Sequence, residues 1–408
     1  MGAPAGRAAE LSRLWVEDGH EVTVLTGFPN HPTGVIPEEY RSKFRRLVCH
    51  EEINGVNIVR SWLLPFPNRK AYERMLNYSS FCVSAASTGM FLSQPDVVIA
   101  SSPQLLVGLA GFWLARAKRV PFVFEVRDLW PESLTAVGMG DNYTLLHRAL
   151  ARTAGFLYRQ AEKIAVVTPA FEDHLVKQWN VPPEKIVVLE NGVQANVFRP
   201  QASSELRTKL GADGKVVVSY IGTIGMAHGL ETLVEAASRL QHSTPEVLFL
   251  LVGEGAEKER IISLVRSRGL TNVRFVDQQL REKVPAYICV SDVCLVLLKK
   301  AEIFRTVLPT KMLEFMSCGR PVILGVDGQA RQVMEAANGG IFVEPGSPDD
   351  LTRAISQLAA APSLRETLGR NGRRYVVQHF SRQRTARAYL NMLEGLLGEE
   401  ALRAAVAA

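Results

Sequence analysis

Cysteine is scarce in this 408-residue chain and unpatterned: five residues, at 49, 82, 289, 294 and 318, with no Cys-x-x-Cys pair. An odd count at loose spacing excludes a disulfide framework and a zinc site, and predicts a reducing, cytoplasmic setting. No basic stretch followed by an apolar run and a cleavage site opens the chain, so secretion is not expected. Low-complexity tracts are lacking too, since 47% apolar residues, 22% charged residues, 31 Gly and 21 Pro are globular proportions that exclude disorder and collagen-like repeats. The net charge of +6 suits nucleic acid, anionic lipid or phosphate-bearing substrates. Basic runs interleaved with aromatics are missing, which argues against nucleic acid. A clean membrane span is missing as well. Of two long uncharged stretches, 75–95 carries Ser, Thr, Asn and Gln, and 97–115 is broken by Ser101-Ser102-Pro103-Gln104. Spanning needs about 20 mostly apolar residues, so both read as buried segments. The alternative is a peripheral contact across 63–81, where Arg69, Lys70 and Arg74 lie near Trp62, Phe66, Tyr72 and Tyr78.

What is present is a long alternation of β-branched runs with helical patterns. At roughly 150 residues per domain, the length predicts two or three domains. Strands are expected at 21–26, 56–62, 96–100, 121–126, 163–168 and 185–190, and again at 215–221, 247–252, 273–276, 292–297, 321–324 and 340–343. Apolar strands separated by helices imply parallel sheets covered on both faces. The fold class is therefore α/β, with two Rossmann-like doubly wound domains. The first is expected at 1–190 and the second at 200–372, with a joint around Asn191-Gly192 and Pro200. A last helical stretch, 373–397, has no strand after it; either domain could take it, and the first is the assignment made. A cleft between two such domains is the natural ligand site.

The helical pattern from Ala3 to Asp18 runs directly into the 21–26 strand. A βαβ unit of this kind expects a strand before Gly2, so a missing first strand is predicted, most simply from a misassigned start. The alternative is a fold that begins with a helix.

Four clusters fall at or just after strand ends, and each has a plain structural reading beside the chemical one. Gly222-Thr223-Ile224-Gly225-Met226-Ala227-His228-Gly229 precedes a helix expected at 230–240; such glycines let a backbone approach a diphosphate at a helix N-terminus, or merely make a tight turn. Gly253-Glu254-Gly255 reads equally as a nucleotide-facing loop or a turn. In Pro309-Thr310-Lys311-Met312-Leu313-Glu314, Thr310 is expected as an N-cap and Gly319 as the helix end. Lys311 opposes the helix dipole, which makes sense if it neutralises a phosphate. Glu314, one turn on, is placed to accept from ribose hydroxyls; an exposed Lys and a solvated Glu are the bland alternative. Arg127-Asp128-Leu129-Trp130-Pro131-Glu132 crowds large and charged groups at a strand end; Trp130 and Pro131 read as packing, whereas Arg127, Asp128 and Glu132 suggest recognition of a polar or anionic ligand. His31 and Ser102 also follow strands and are acceptor-side candidates with Glu132, although a lone His is more often just surface.

Taken together, GAPAGRAAELSRLW, LTGFPNHPTG, ASSPQLLVGLA, EVRDLWPES, ENGV, GTIGMAHGLETL, LVGEG and LPTKMLEFMSCGRPV resemble family-4 glycosyltransferases of the GT-B fold. They look closest to the O-antigen and capsule branch that includes N-acetyl-L-fucosamine transferases. The resemblance implies transfer of a sugar from a UDP- or GDP-linked donor, held mainly by the second domain, to a lipid-linked saccharide acceptor on the first. It implies retention at the anomeric carbon and no metal or other cofactor, because basic residues and helix dipoles stabilise the leaving diphosphate. By the resemblance the loop from Gly2 to Gly6 approaches donor and acceptor, and Asn191-Gly192 lies at the hinge. Arg7, Arg127, Asp128 and Lys311 are the groups expected in catalysis. Gly2, Asn191, Gly192, Gly222, Gly225, His228, Gly253, Glu254 and Glu314 are expected to bind the donor. Glu314 matches the second glutamate of the family's E-x7-E motif, whereas the first falls on Thr306. The family's diphosphate-binding Arg and Lys fall on Thr223 and His228, and its catalytic-region His on Arg127. A cytoplasmic enzyme, peripheral on the inner face of the membrane, follows from such an acceptor. Two other readings remain open: a nucleotide-sugar 2-epimerase of the same fold, and a non-catalytic or truncated nucleotide-sugar binder.

Overall fold

A computed structural model describes residues 3–30, 34–66, 71–136 and 145–407. The chain divides into two compact units, one formed by 191–384 and the other by 2–190 with 385–408.

In the carboxy-terminal unit, β8 (Val216–Ile221), β9 (Val247–Val252), β10 (Val273–Val276), β11 (Val293–Leu297), β12 (Val322–Gly325) and β13 (Gly340–Phe342) form one parallel sheet. Its order is β10-β9-β8-β11-β12-β13, so the direction of winding reverses between β8 and β11. Side chains alternate between two apolar layers, as strand geometry dictates. Val217, Leu248 and Leu250 pack with Met312, Phe315 and Val376, while Val218, Phe249 and Leu251 pack with Leu233, Ile261 and Leu351. Burial on both faces is what makes these strands continuous apolar runs.

The amino-terminal unit departs from the expected all-parallel series. Its strands are β1 (Thr23–Gly27), β2 (Val48–Ile53), β3 (Val56–Ser61), β4 (Val98–Ser101), β5 (Phe122–Val126), β6 (Lys163–Val166) and β7 (Ile186–Val188). They form two sheets, β1-β3-β2 and β4-β5-β6-β7. Strand β2 was not expected from the sequence, because VCHEEI is polar and half exposed. It pairs antiparallel with β3 through a turn at Asn54 and Gly55, both at positive φ, the Asn-Gly signature of a tight hairpin. Among the described residues no ladder joins β1 to β4.

The helical stretch expected at 373–397 is two helices, Pro362–His379 and Arg382–Ala407. They are separated at Phe380-Ser381, where Val193 bridges to Ser381. The first stays in the carboxy-terminal unit. The second lays Ala386, Tyr389, Leu393 and Leu396 against Leu11, Leu14, Val123 and Ala165 of the amino-terminal unit.

Candidate functional sites in the two units

The carboxy-terminal unit gathers its candidates beside the switch point, at the carboxyl end of β8. Helix Thr310–Ser317 begins at Thr310 itself, with Pro309 at the cap position and no side-chain cap; this corrects the expected Thr310 N-cap. Lys311 in its first turn extends its ammonium to the Tyr220 hydroxyl at 3.0 Å, 4.2 Å from the ring centroid. Tyr220 in turn donates to the Thr223 carbonyl at 2.6 Å. A Cβ on Gly222, whose φ is +142°, would come within 2.7 Å of the Lys311 Nζ. The ammonium therefore lies directly against the backbone of the glycine turn. Gly253, at φ +149°, backs onto the same turn, where a Cβ would fall 2.0 Å from the Gly222 carbonyl oxygen. His228 stacks edge-on to Tyr220 with ring centroids 5.8 Å apart, its Nδ1 3.3 Å from the Gly225 carbonyl oxygen.

Burial lowers the Lys311 pKa to about 8, partly offset by Glu314. Burial, with Lys311 beside it, lowers His228 to about 3, so this imidazole is neutral at physiological pH. Glu314 pairs with Arg281 at 3.1 Å, and the Arg281 guanidinium lies 5.0 Å over the Phe198 ring. Glu254 instead engages Lys258, which also binds Asp277 at 2.7 Å. Gly192 lies against the main chain of Ser381 and Arg382, where the Val193 N–H donates to the Phe380 carbonyl at 2.8 Å; Asn191 is buried beside it.

In the amino-terminal unit a second set stands at the carboxyl ends of β4 and β5. The Arg127 N–H donates to the Ser102 hydroxyl at 2.8 Å. Asp128 accepts from the Trp130 indole at 3.3 Å and from Ser133. Burial outweighs these bonds and raises its pKa. Glu132 accepts at one oxygen from His174 and from the Trp179 indole, each at 3.1 Å. Burial alone would raise Glu132, but His174 and Trp179 outweigh it and hold the group anionic. Arg7 is 2% exposed, and its guanidinium serves Glu125 at 3.0 Å and the Leu189 and Glu190 carbonyls at 3.0 and 3.3 Å. Gly2 and His31 lie outside the described residues.

Tyr220, Arg281, Glu125, His174 and Trp179 were not singled out from the sequence. Glu125 left a signal, as the only charge in the apolar run PFVFEV. The others are recruited by contacts remote in sequence and left none. Among the described residues no three His, Cys, Asp or Glu side chains converge as a metal site.

Comparison with known proteins matches residues 2–192 to the family "Glycosyl transferase 4-like domain" and residues 203–375 to "Glycosyl transferases group 1". The two together span nearly the whole chain, in the same order as the two units. The chain is a glycosyltransferase of the GT-B fold. Among its relatives is the "Putative colanic acid biosynthesis glycosyl transferase WcaI" of Escherichia coli, 24% identical over 95% of both chains. Sucrose-phosphate synthase from Thermosynechococcus elongatus superposes with a TM-score of 0.74 at 21% identity, covering 96% of this chain and 93% of that one. Anabaena Alr3699/HepE in complex with UDP-glucose superposes with a TM-score of 0.70 at 17% identity, covering 92% and 100%. As a glycosyltransferase, this chain presents two chemically distinct strand ends, one cationic at a glycine turn and one rich in carboxylates. No helix among its described residues is long and apolar enough to cross a membrane.

Proposed function

We propose that this glycosyltransferase uses a UDP- or GDP-linked sugar to extend a lipid-linked saccharide in surface polysaccharide synthesis, in the O-antigen, capsule or exopolysaccharide class. The observation that carries the donor side is the Lys311 ammonium held against the backbone of Gly222. A cation, a glycine-lined backbone and the start of a helix converge there, and each favours a diphosphate. In this reading Lys311 and the turn Gly222–Gly225 hold the diphosphate and stabilise it as it leaves, without a metal. Neutral His228 offers a hydrogen bond rather than a charge. Glu314, oriented by Arg281, accepts from the ribose, and Gly253 lets the chain approach. Arg127 and Asp128 act on the reacting groups from the amino-terminal unit, with Ser102 and Glu132 on the acceptor side. Retention is expected from the family resemblance. The similarity to the putative colanic acid biosynthesis enzyme of Escherichia coli supports the polysaccharide class, and the UDP-glucose complex of the Anabaena protein supports a uridine donor. Tyr72 and Leu76, 58% and 45% exposed at the start of helix Ala71–Met90, with Arg74 between them, support contact with an anionic membrane surface.

The test is release of nucleoside diphosphate from a panel of UDP- and GDP-sugars with lipid-linked acceptors, with and without EDTA. Acceptor-dependent release from one donor class, unaffected by EDTA, is expected. Conversion of a donor without any acceptor would favour an epimerase, and no turnover of any donor would favour a binder.

A further inference from the structure

Glu125 is a carboxylate 5% exposed at the end of a strand whose other members are apolar. One of its oxygens accepts from the Arg7 Nε at 3.0 Å, and the other from the Ser101 hydroxyl. Its main-chain carbonyl accepts from the Ser102 N–H at 2.9 Å, and the Ser102 hydroxyl holds the Arg127 N–H at 2.8 Å. The Arg7 Nη2 and Nη1 donate to the carbonyls of Leu189 and Glu190. Thr385 donates to that same Glu190 carbonyl at 3.0 Å. Glu190 and Thr385 are the residues at which the chain leaves the amino-terminal unit and returns to it. One carboxylate therefore ties the ends of β4 and β5 to both exits of the chain. Burial would push Glu125 toward its neutral form, but Arg7, Arg127 and Ser101 outweigh it and keep it anionic.

We propose that Glu125 is a positioning residue for glycosyl transfer: through Arg7 it fixes the main chain at Leu189–Glu190, and through Ser101 the end of β4, where the next residue, Ser102, holds the Arg127 N–H. Neither Glu125 nor Arg7 touches substrate in this role, which separates them from the groups assigned to the diphosphate. A buried ion pair contributes little net stability compared with a well-packed apolar pair. The energy spent on it goes to geometry at the exits.

The double variant Arg7→Met with Glu125→Leu removes both charges at similar volume, whereas Glu125→Gln leaves Arg7 without a counter-charge. Hydrogen exchange on the full chain, read for 189–193 and 382–386 against β5 and β6, needs no substrate and stands apart from the identity of the donor. The expected result for the double variant is a retained melting temperature with exchange at both exits faster by about tenfold or more. The turnover rate should fall by about tenfold with the donor KM unchanged. Wild-type exchange and turnover in the folded double variant would overturn the proposal. So would exchange that quickens equally through β5, β6 and the exits. If the double variant does not fold, the same readings on Glu125→Gln decide, because the amide keeps the shape and part of the hydrogen bonding.

Discussion

Lys311 is a lysine made responsive by burial, and its chemistry gives two opposite trends with pH. A diphosphate beside the ammonium favours the charged form, so binding draws its pKa back up from about 8. Affinity for UDP or GDP should be full below pH 8 and fall by up to about tenfold per pH unit above it, until the bound-state value is reached. Calorimetry at pH 8 in buffers of different ionisation enthalpy should register proton uptake on binding. Lys311→Met should bind weakly, with neither the uptake nor the slope. Folding stability runs the other way. The unfolded lysine, at about 10.4, holds its proton more tightly than the folded one, so the Lys311 contribution to stability grows from pH 8 to about 10.4. His228 makes stability rise in the same sense, but between its folded value of about 3 and the ordinary imidazole value of about 6.5, so it adds nothing to either trend at pH 8 and above. Lys311 was legible because a cation in the first turn opposes the helix dipole. Its partner Tyr220 was not, because a tyrosine within the apolar run VVVSYI reads as core. Its hydroxyl acquires a role only through a helix some ninety residues further on, by the 3.0 Å contact with Lys311.

The two glycine turns after β8 and β9 show how a strand end becomes a binding surface. A Cβ on Gly253 would strike the Gly222 carbonyl at 2.0 Å, at a φ that side chains rarely adopt. Gly253→Ala should therefore destabilise the carboxy-terminal unit by about 1–3 kcal/mol, seen as a lower midpoint in urea at unchanged m-value. A Cβ on Gly222 instead meets the flexible tip of Lys311 at 2.7 Å. Gly222→Ala should cost nucleotide affinity more than its destabilisation alone explains, and equal losses at the two positions would refute the assigned geometry. The sheet of this unit was readable to within a residue or two per strand because burial on both faces leaves a continuous apolar run. Strand β2 escaped that reading because it is an edge paired on one side, with His50, Glu52 and Ile53 exposed to solvent. The break at Phe380-Ser381 also escaped: neither Gly nor Pro marks it, and the bridge from Ser381 to Val193 is invisible in local pattern.

At the scale of the molecule, the chain enters the carboxy-terminal unit at Asn191 and returns at Thr385, so the last helix serves the unit that the first residues build. Its buried side chains Tyr389, Leu393 and Leu396 stand against Leu11, Leu14 and Val123, and the Trp15 indole donates to the Ala386 carbonyl at 3.2 Å. Each buried Leu→Ala change costs about 2–5 kcal/mol, and here the cost falls on the amino-terminal unit. A nucleotide bound at Lys311 stabilises the other unit by mass action, about 2.7 kcal/mol at a hundredfold excess over its Kd. In scanning calorimetry, Leu393→Ala with Leu396→Ala should lower one transition, and UDP or GDP should raise a different one. The variant with nucleotide should therefore melt in two resolved steps. If the substitutions and the nucleotide shift a single common transition, the units unfold as one cooperative body. If the nucleotide raises the very transition that the helix substitutions lower, while a separate transition stays fixed, the nucleotide site belongs to the amino-terminal unit and Lys311 is not its anchor.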